Sequence, residues 1–115
     1  RCNLISKTLV AASTRPIILS ILFSGENYGY EIIQRVKGIS GGTMEWSDGM
    51  LYPVLHRLER EGLIVSQWKV SDGTRPRKYY TITDTGRTEL AAERKQWLNV
   101  HEAMLKLWEP LPALK

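Results

Sequence analysis

The sequence has little of what several common protein classes need. Its single cysteine, Cys2, cannot form an intrachain disulfide, and we interpret it as an incidental thiol in a reduced, intracellular protein. No apolar run approaches the roughly 20 residues of a membrane-spanning helix, and no signal-peptide pattern follows Arg1. We therefore expect a cytoplasmic protein that has no membrane partner.

Residues for catalysis or metal binding are equally scarce. Only His56 and His101 titrate near neutral pH, and neither has a serine or cysteine nucleophile in a recognisable pattern. One cysteine and two histidines on different predicted helices lack the spacing of a metal site, and the sequence has no glycine-rich phosphate loop. We expect no enzyme activity, no catalytic residue, no metal and no cofactor.

The chain carries a mild excess of basic residues. Its 115 residues include 16 Lys+Arg and 12 Asp+Glu, which gives a net charge of +4 and a pI near 9.4. Residues 1–46 and residues 47–82 each carry a net charge of +2, whereas residues 83–115 are neutral. This distribution permits nucleic-acid binding by the first two segments, and it suits a C-terminal segment that packs against protein.

Apolar spacing in the first third of the chain predicts helices. A weak apolar face over residues 4–12 indicates a short leading helix, and Pro16 suits the first turn of a second, buried helix that Gly25 ends. Asn27 is a candidate N-cap for the next helix. The apolar stripe predicted for that helix consists of Tyr30, Ile33 and Val36, and Gly38 closes it.

The remaining chain predicts a helix, a hairpin and a long helix. Ser47 suits the N-cap of a helix that ends near Glu61. Residues 63–70 and 78–83 have strand character and flank a turn, and Thr83 suits the cap of a helix over 84–108. This order predicts a mainly α fold with a small β-hairpin (α+β). We expect a winged helix-turn-helix DNA-binding domain over 1–83 and a C-terminal dimerisation helix with its tail over 84–115.

The helix after Ser47 has the features of a recognition helix. Leu51, Leu55 and Leu58 recur at helical spacing and predict its core face. Pro53 is awkward beyond the first turn, so we expect a kink or a later helix start. The DNA-contacting residues predicted here are Ser47, Asp48, Gly49, Tyr52, His56 and Arg57. The alternative is a solvated amphipathic helix.

The predicted hairpin carries a cluster of cations at its tip. Arg75, Arg77 and Lys78 lie within four residues of each other, and Lys69 adds a fourth cation. A projecting basic tip suits the minor groove of DNA or its phosphate walls. Asp72 offsets part of this charge, and the alternative interpretation is a solvated turn.

The long C-terminal helix predicts a contact between two copies of the chain. No wing follows this helix to cover its apolar stripe, so a partner chain is the natural cover. The predicted dimer interface consists of Leu90, Trp97, Val100, Met104, Leu107 and Trp108. The alternative is that the helix folds back on its own domain. Trp97 suits either core packing or the stacking of an aromatic ligand.

Four segments form a specific set: Tyr28–Ile32, Gly49–Ile64, Arg77–Tyr80 and Thr83–Gly86. In these segments the chain resembles the PadR family of bacterial transcriptional regulators. The resemblance implies a homodimeric winged-helix repressor that binds operator DNA and is released by a small effector. It also adds Tyr28 and Tyr30, from the first segment, to the predicted DNA contacts.

The short length and single C-terminal helix resemble the small PadR subfamily, which includes a lactococcal multidrug-binding repressor. There a pair of tryptophans stacks on flat aromatic drugs at the dimer centre, and Trp97 matches this tryptophan in a Trp-x-x-Val pattern. The resemblance implies a ligand site lined by Leu9, Ala12, Pro16, Arg94, Trp97, His101 and Met104.

Two of these lining positions depart from the multidrug protein. Arg94 replaces an aromatic residue and His101 replaces an acid, so we expect a neutral or anionic aromatic effector rather than a lipophilic cation. Alternatively, two Arg94 side chains fill the cavity and no ligand binds. A different class of function is a winged helix that contacts protein instead of DNA, although such a module needs no basic tip.

Overall fold

A computed structural model describes residues 4–70, 73 and 75–108. Cys2, Asp72 and the end of the predicted tail lie outside these residues. The described chain is mainly helical with one small antiparallel sheet, which confirms the predicted fold class. In chain order its elements are α1 (Lys7–Phe23), β1 (Asn27–Tyr28), α2 (Gly29–Ile39), α3 (Asp48–Arg60), β2 (Ile64–Lys69), β3 (Arg77–Ile82) and α4 (Asp84–Trp108). Among these helices, none combines the length and apolar character needed to cross a membrane.

The first helix is continuous, so the prediction of two helices that meet at Pro16 was wrong. Ser6 caps α1 by accepting a hydrogen bond from the Leu9 amide at 3.3 Å, and Pro16 lies in the middle of the helix. Proline in a helix interior removes one backbone hydrogen bond at a cost of about 3 kcal/mol. Ile18 and Leu19 follow it and are fully buried. Their burial offsets that cost, because each buried aliphatic side chain contributes about 1.5–3 kcal/mol.

The sequence between α1 and α2 forms a short strand that was not predicted. Asn27 and Tyr28 make up β1 and pair with Tyr80 and Tyr79 of β3. The prediction that Asn27 caps α2 was therefore wrong. Tyr28 occupies the N-cap position and makes no side-chain cap hydrogen bond.

The apolar face of α2 also differs from the prediction. Ile32 and Val36 are fully buried, whereas Tyr30 is 64% exposed and points away from the core. Tyr30 therefore does not belong to the apolar stripe, because the face of α2 that packs on the core is centred on Ile32 and Val36. The helix also continues through Gly38 and ends at Ile39.

The third helix follows the prediction closely. Ser47 is its N-cap and accepts a hydrogen bond from the Met50 amide at 3.2 Å. Its three predicted core residues, Leu51, Leu55 and Leu58, are fully buried. The helix begins directly after the cap, so Pro53 lies inside it and a later helix start is excluded.

The hairpin completes a three-stranded sheet in the order β1-β3-β2. In the register of β2 and β3, Ile64 lies opposite Ile82 and Ser66 opposite Tyr80. Alternation then places these side chains on one sheet face. Ile64 and Tyr80 are fully buried on that face, which packs onto the helices, while β2 forms the outer edge.

The long helix α4 begins at a close contact with the sheet. Thr83 caps it, since its hydroxyl accepts a hydrogen bond from the Gly86 amide at 3.0 Å and donates to the Gly62 carbonyl at 2.7 Å. Leu90 packs into the core of its own chain and is only 8% exposed, so we drop it from the predicted dimer interface. Further along α4, apolar side chains are exposed: Trp97, Leu98, Val100, Leu105, Leu107 and Trp108.

One arginine joins three helices. The Arg15 guanidinium on α1 lies 2.8 Å from Glu61 at the end of α3, and 3.5 Å and 2.7 Å from Glu89 and Glu93 on α4. Burial lowers the pKa of Arg15, but its hydrogen bonds to Glu93 and Glu61 outweigh this effect and leave the pKa raised. The orientation of α4 is therefore tied to the end of α3.

Candidate nucleic-acid interface

A basic groove of about 600 Å³ lies between the start of α2, one face of α3 and the wing formed by β2 and β3. Its walls carry cations and aromatic rings, and no carboxylate lies among the described residues that line it. These are Tyr28, Gly29, Tyr30, Tyr52, His56, Trp68, Arg75, Pro76, Arg77, Lys78 and Tyr80. Such a surface attracts a polyanion that also offers apolar faces.

The wall contributed by α3 is set by a close contact with α2. A Cβ atom at Gly29 would lie 2.7 Å from Cζ of Tyr52 and closer still to its hydroxyl, so any larger residue here would displace the end of the Tyr52 ring. Burial, followed by the charge of Asp48, raises the pKa of Tyr52. His56, one turn further along α3, is exposed to the groove. Tyr52 thus fixes the spacing of the two helices while its ring faces the groove.

The floor of the groove is Tyr80, whose side chain is fully buried. Its hydroxyl has no hydrogen-bond partner among the residues the structure describes. Burial, with smaller contributions from Tyr52 and Glu59, raises the pKa of Tyr80 to about 12. The phenol therefore stays protonated and neutral near pH 7.

Aromatic rings hold the base of the wing against β1. The Arg77 guanidinium lies 4.7 Å from the centre of the Tyr28 ring and donates a hydrogen bond to the Tyr28 hydroxyl at 3.3 Å. The Tyr28 ring meets Tyr79 edge-on, with 5.2 Å between ring centres. These contacts orient Arg77 while its charge stays uncompensated by any described carboxylate.

Lys69 is arranged differently from the other wing cations. Its ammonium forms an ion pair with Glu26 at 2.7 Å and lies 5.5 Å from the centre of the Tyr79 ring. It does not line the groove. Its charge is therefore largely offset within the chain, which weakens its case as a phosphate contact.

The structure brings together seven of the residues predicted to contact DNA. Tyr28, Tyr30, Tyr52, His56, Arg75, Arg77 and Lys78 all line the groove. Four others, Ser47, Asp48, Gly49 and Arg57, are exposed on α3 outside its lining. Sequence reasoning missed the other four lining residues, Gly29, Trp68, Pro76 and Tyr80. The strand register was the signal for Trp68 and Tyr80, since it places Trp68 opposite Lys78 and Tyr80 two residues further along β3.

A second cavity, of about 370 Å³, lies between α1, the end of α2 and α4. It brings together Pro16, Arg94 and Trp97 of the predicted ligand site, and α2 contributes Arg35 and Ile39. The other predicted lining residues lie outside it: Leu9, Ala12, His101 and Met104. Leu9, Ala12 and His101 are instead exposed on this single chain.

Comparison with known proteins identifies the family to which the chain is similar. Residues 18–92 match the model of the transcriptional regulator PadR-like family. Over 85 residues the chain is 33% identical to the negative transcriptional regulator PadR of Bacillus subtilis, which covers 74% of this chain. The match covers 44% of the Bacillus subtilis protein, so the chain spans less than half the length of that regulator.

Solved structures show the same architecture over nearly the whole chain. A transcriptional regulator from Clostridium thermocellum superimposes with a TM-score of 0.80 at 28% identity, covering 90% of this chain and 97% of its own. A PadR-like transcriptional regulator from Bacillus cereus gives a TM-score of 0.78 at 31% identity, covering 88% and 96% respectively. Both similarities cover too much of the chain to end before α4, which begins at residue 84.

Proposed function

Because the chain belongs to the PadR-like family of transcriptional regulators, and is therefore a DNA-binding regulator and not an enzyme, we propose that it binds duplex DNA with α3 and the basic groove. The observation that carries this proposal is that the cations of the wing and a histidine of α3 lie in the same groove. Arg75, Arg77 and Lys78 share one groove with His56, and none of them has an ion-pair partner among the described residues.

The two parts of the surface have different roles in this proposal. The exposed start of α3 enters the major groove, where Gly49 lets the backbone approach closely and Asp48 accepts a hydrogen bond from a cytosine amine. The wing cations bind phosphates and supply affinity that does not depend on sequence.

The salt dependence of binding tests this assignment. We expect Arg77→Gln and Lys78→Gln to weaken binding to any duplex, and each to reduce the slope of log K against log salt by about 0.9. Lys95→Gln on α4, which is exposed and lies outside the groove, is the matched control. A wild-type slope near zero would instead favour the protein-contact function, because phosphate binding always releases counterions.

We further propose that the chain acts as a homodimer joined by the exposed stripe of α4. Trp97, Val100 and Leu107 are between 40% and 72% exposed on the single chain, and contiguous apolar surface of this kind indicates a protein interface. We expect Val100→Glu to weaken the dimer at least about tenfold in sedimentation equilibrium, since it introduces an unpaired charge into the seam. Asn99→Glu, about 160° around α4 from Trp97 and about 100° from Val100, is the control.

Finally, we propose that the chain represses transcription and is released by a small aromatic effector. Repression is supported by the Bacillus subtilis relative, which is a negative regulator. The cavity at Pro16, Arg94 and Trp97 suits a neutral or anionic ligand, since Arg35 and Arg94 line it and none of its described lining residues is a carboxylate. In this proposal the chain has two functional regions, a DNA-binding winged helix over 1–83 and a dimerisation region over 84–115.

A fluorescence titration tests the ligand class. We expect Hoechst-type and ethidium-type cations to leave the tryptophan emission of the wild-type chain unchanged, and Trp97→Phe to serve as the control for any quenching at this site. Tight quenching by a cation would overturn the proposed class. If Arg94 fills the cavity in the dimer, Arg94→Ala creates a binding site that the wild-type chain lacks.

A further inference from the structure

We propose that Trp68 on β2 is a DNA contact, and that its indole packs against the sugar face of the strand whose phosphates the wing cations bind. This inference rests on the proposed DNA-binding function. It adds an apolar contact that is absent from the DNA contacts predicted by the sequence analysis.

The strand alternation places Trp68 on the inward face of the sheet. Ile64, Ser66 and Trp68 share this face. Ile64 is fully buried, and Ser66 donates a hydrogen bond to Glu59 of α3 at 2.7 Å. Trp68 comes next but is 65% exposed, because it projects beyond the part of α3 that covers its neighbours and into the groove. An inward-facing residue therefore lacks a cover within the described chain.

An exposed indole at this position indicates a partner. A tryptophan side chain can bury about 150–250 Å² of surface, and each Å² of apolar surface removed from water contributes to binding. Trp46, by contrast, is only 5% exposed and belongs to the core. The indole of Trp68 is thus placed to lose its water when the groove is filled.

The charges around Trp68 select the class of partner. Lys78 lies directly across from it on β3, Arg75 and Arg77 line the same groove, and none of the described lining residues is a carboxylate. The occupant must therefore carry closely spaced negative charges and apolar faces between them. The backbone of duplex DNA has this pattern, with a deoxyribose between each pair of phosphates.

Binding measurements on the full chain separate the indole from the cations. The probe is a mixed-sequence duplex of about 30 base pairs, since a sugar contact does not depend on base sequence. We expect Trp68→Ala to weaken binding about tenfold and Trp68→Phe to weaken it less than about threefold. The control is Val65→Ala, which removes an apolar side chain that is 52% exposed on the opposite face of β2.

The salt slope supplies the decisive comparison. Trp68→Ala should leave the slope of log K against log salt unchanged from about 50 to about 200 mM, whereas Arg77→Gln should reduce it by about 0.9. Wild-type affinity in Trp68→Ala, alongside weakened Arg77→Gln, would overturn this inference and leave the proposed function intact.

Two other outcomes point elsewhere. A wild-type chain that binds no duplex at any of these salt concentrations would overturn the proposed function and this inference together. A Trp68→Ala chain that dissociates to monomers in sedimentation would assign the indole to a contact between copies of the chain, and so would also overturn the inference.

Discussion

Gly86, in the first turn of α4, offers a sharp test of how the long helix is attached to the winged helix. A Cβ atom at this position would lie 2.7 Å from Cγ1 of Ile82 and 3.1 Å from the Leu63 carbonyl carbon, and closer still to the Leu63 oxygen. That oxygen already accepts a hydrogen bond from the Thr83 amide at 3.0 Å. Because the obstacle includes backbone, it cannot move aside as a side chain tip would.

Gly86→Ala therefore forces α4 away from the sheet. Overpacking costs about 1–3 kcal/mol, and loss of the Thr83–Leu63 hydrogen bond costs about 0.5–1.5 kcal/mol. The higher helix propensity of alanine returns about 1 kcal/mol. We expect a net loss of about 2 kcal/mol in the free energy of unfolding.

Gly38 in α2 provides the matched control, because nothing lies within 4 Å of the Cβ that alanine would add there. It is also helical, but exposed. Gly38→Ala should therefore stabilise the chain by about 0.5 kcal/mol through helix propensity alone.

Urea unfolding at one fixed protein concentration measures both variants. For a slope of 1–3 kcal/mol per molar urea, Gly86→Ala should lower the midpoint by about 1 M, and Gly38→Ala should raise it slightly. The reasoning is refuted if the midpoint of Gly86→Ala equals or exceeds that of the wild type, or if the two substitutions shift the midpoint in the same direction.

Three further substitutions probe other contacts. Arg15→Gln should lower the free energy of unfolding in urea by about 1–2 kcal/mol, because it leaves three carboxylates without their cation. Arg15→Lys should recover only part of this loss, because lysine lacks the planar guanidinium. Equal stability of the wild type and both variants would contradict this prediction. The phenol of Tyr80 ionises near pH 10 when unfolded and near 12 when folded, so its contribution is complete below pH 10 and is lost as the pH rises to 12. Tyr80→Phe should remove up to about 2 kcal/mol of that alkaline loss, and superimposable pH profiles would count against it. In thermal denaturation, Ser47→Ala should lower the free energy of unfolding by about 1 kcal/mol, and Ser47→Asn should lower it much less. Equal losses in the two variants would show that the cap hydrogen bond is not the cause.

The features that local chemistry specifies were predictable from the sequence. Ser47 caps α3 and Thr83 caps α4 because a hydroxyl can satisfy a nearby amide whatever the rest of the chain does. The helical spacing of Leu51, Leu55 and Leu58 likewise fixes one buried face. Convergence of the wing cations on α3 followed from the order of the elements alone.

Features that depend on distant residues escaped the prediction. Asn27 has the chemistry of a cap, yet it pairs with Tyr80, which lies 53 residues further along the chain. Pro16 favours a helix start, yet the buried residues after it stabilise an unbroken α1. The place of Trp68 in the groove required the register of β2 against β3, and the two-residue strand β1 is too short to leave a periodic pattern.

The length and mounting of α4 make it a mechanical lever. Its 25 residues span about 37 Å at a rise of 1.5 Å each, and its first turn is wedged against the sheet at Gly86. A tilt of about 5° at that pivot displaces the far end by roughly 3 Å, which is close to the separation of successive base pairs along DNA. Trp97 lies about halfway between this pivot and Trp108, so a displacement of the helix beside Trp97 is roughly doubled at its far end.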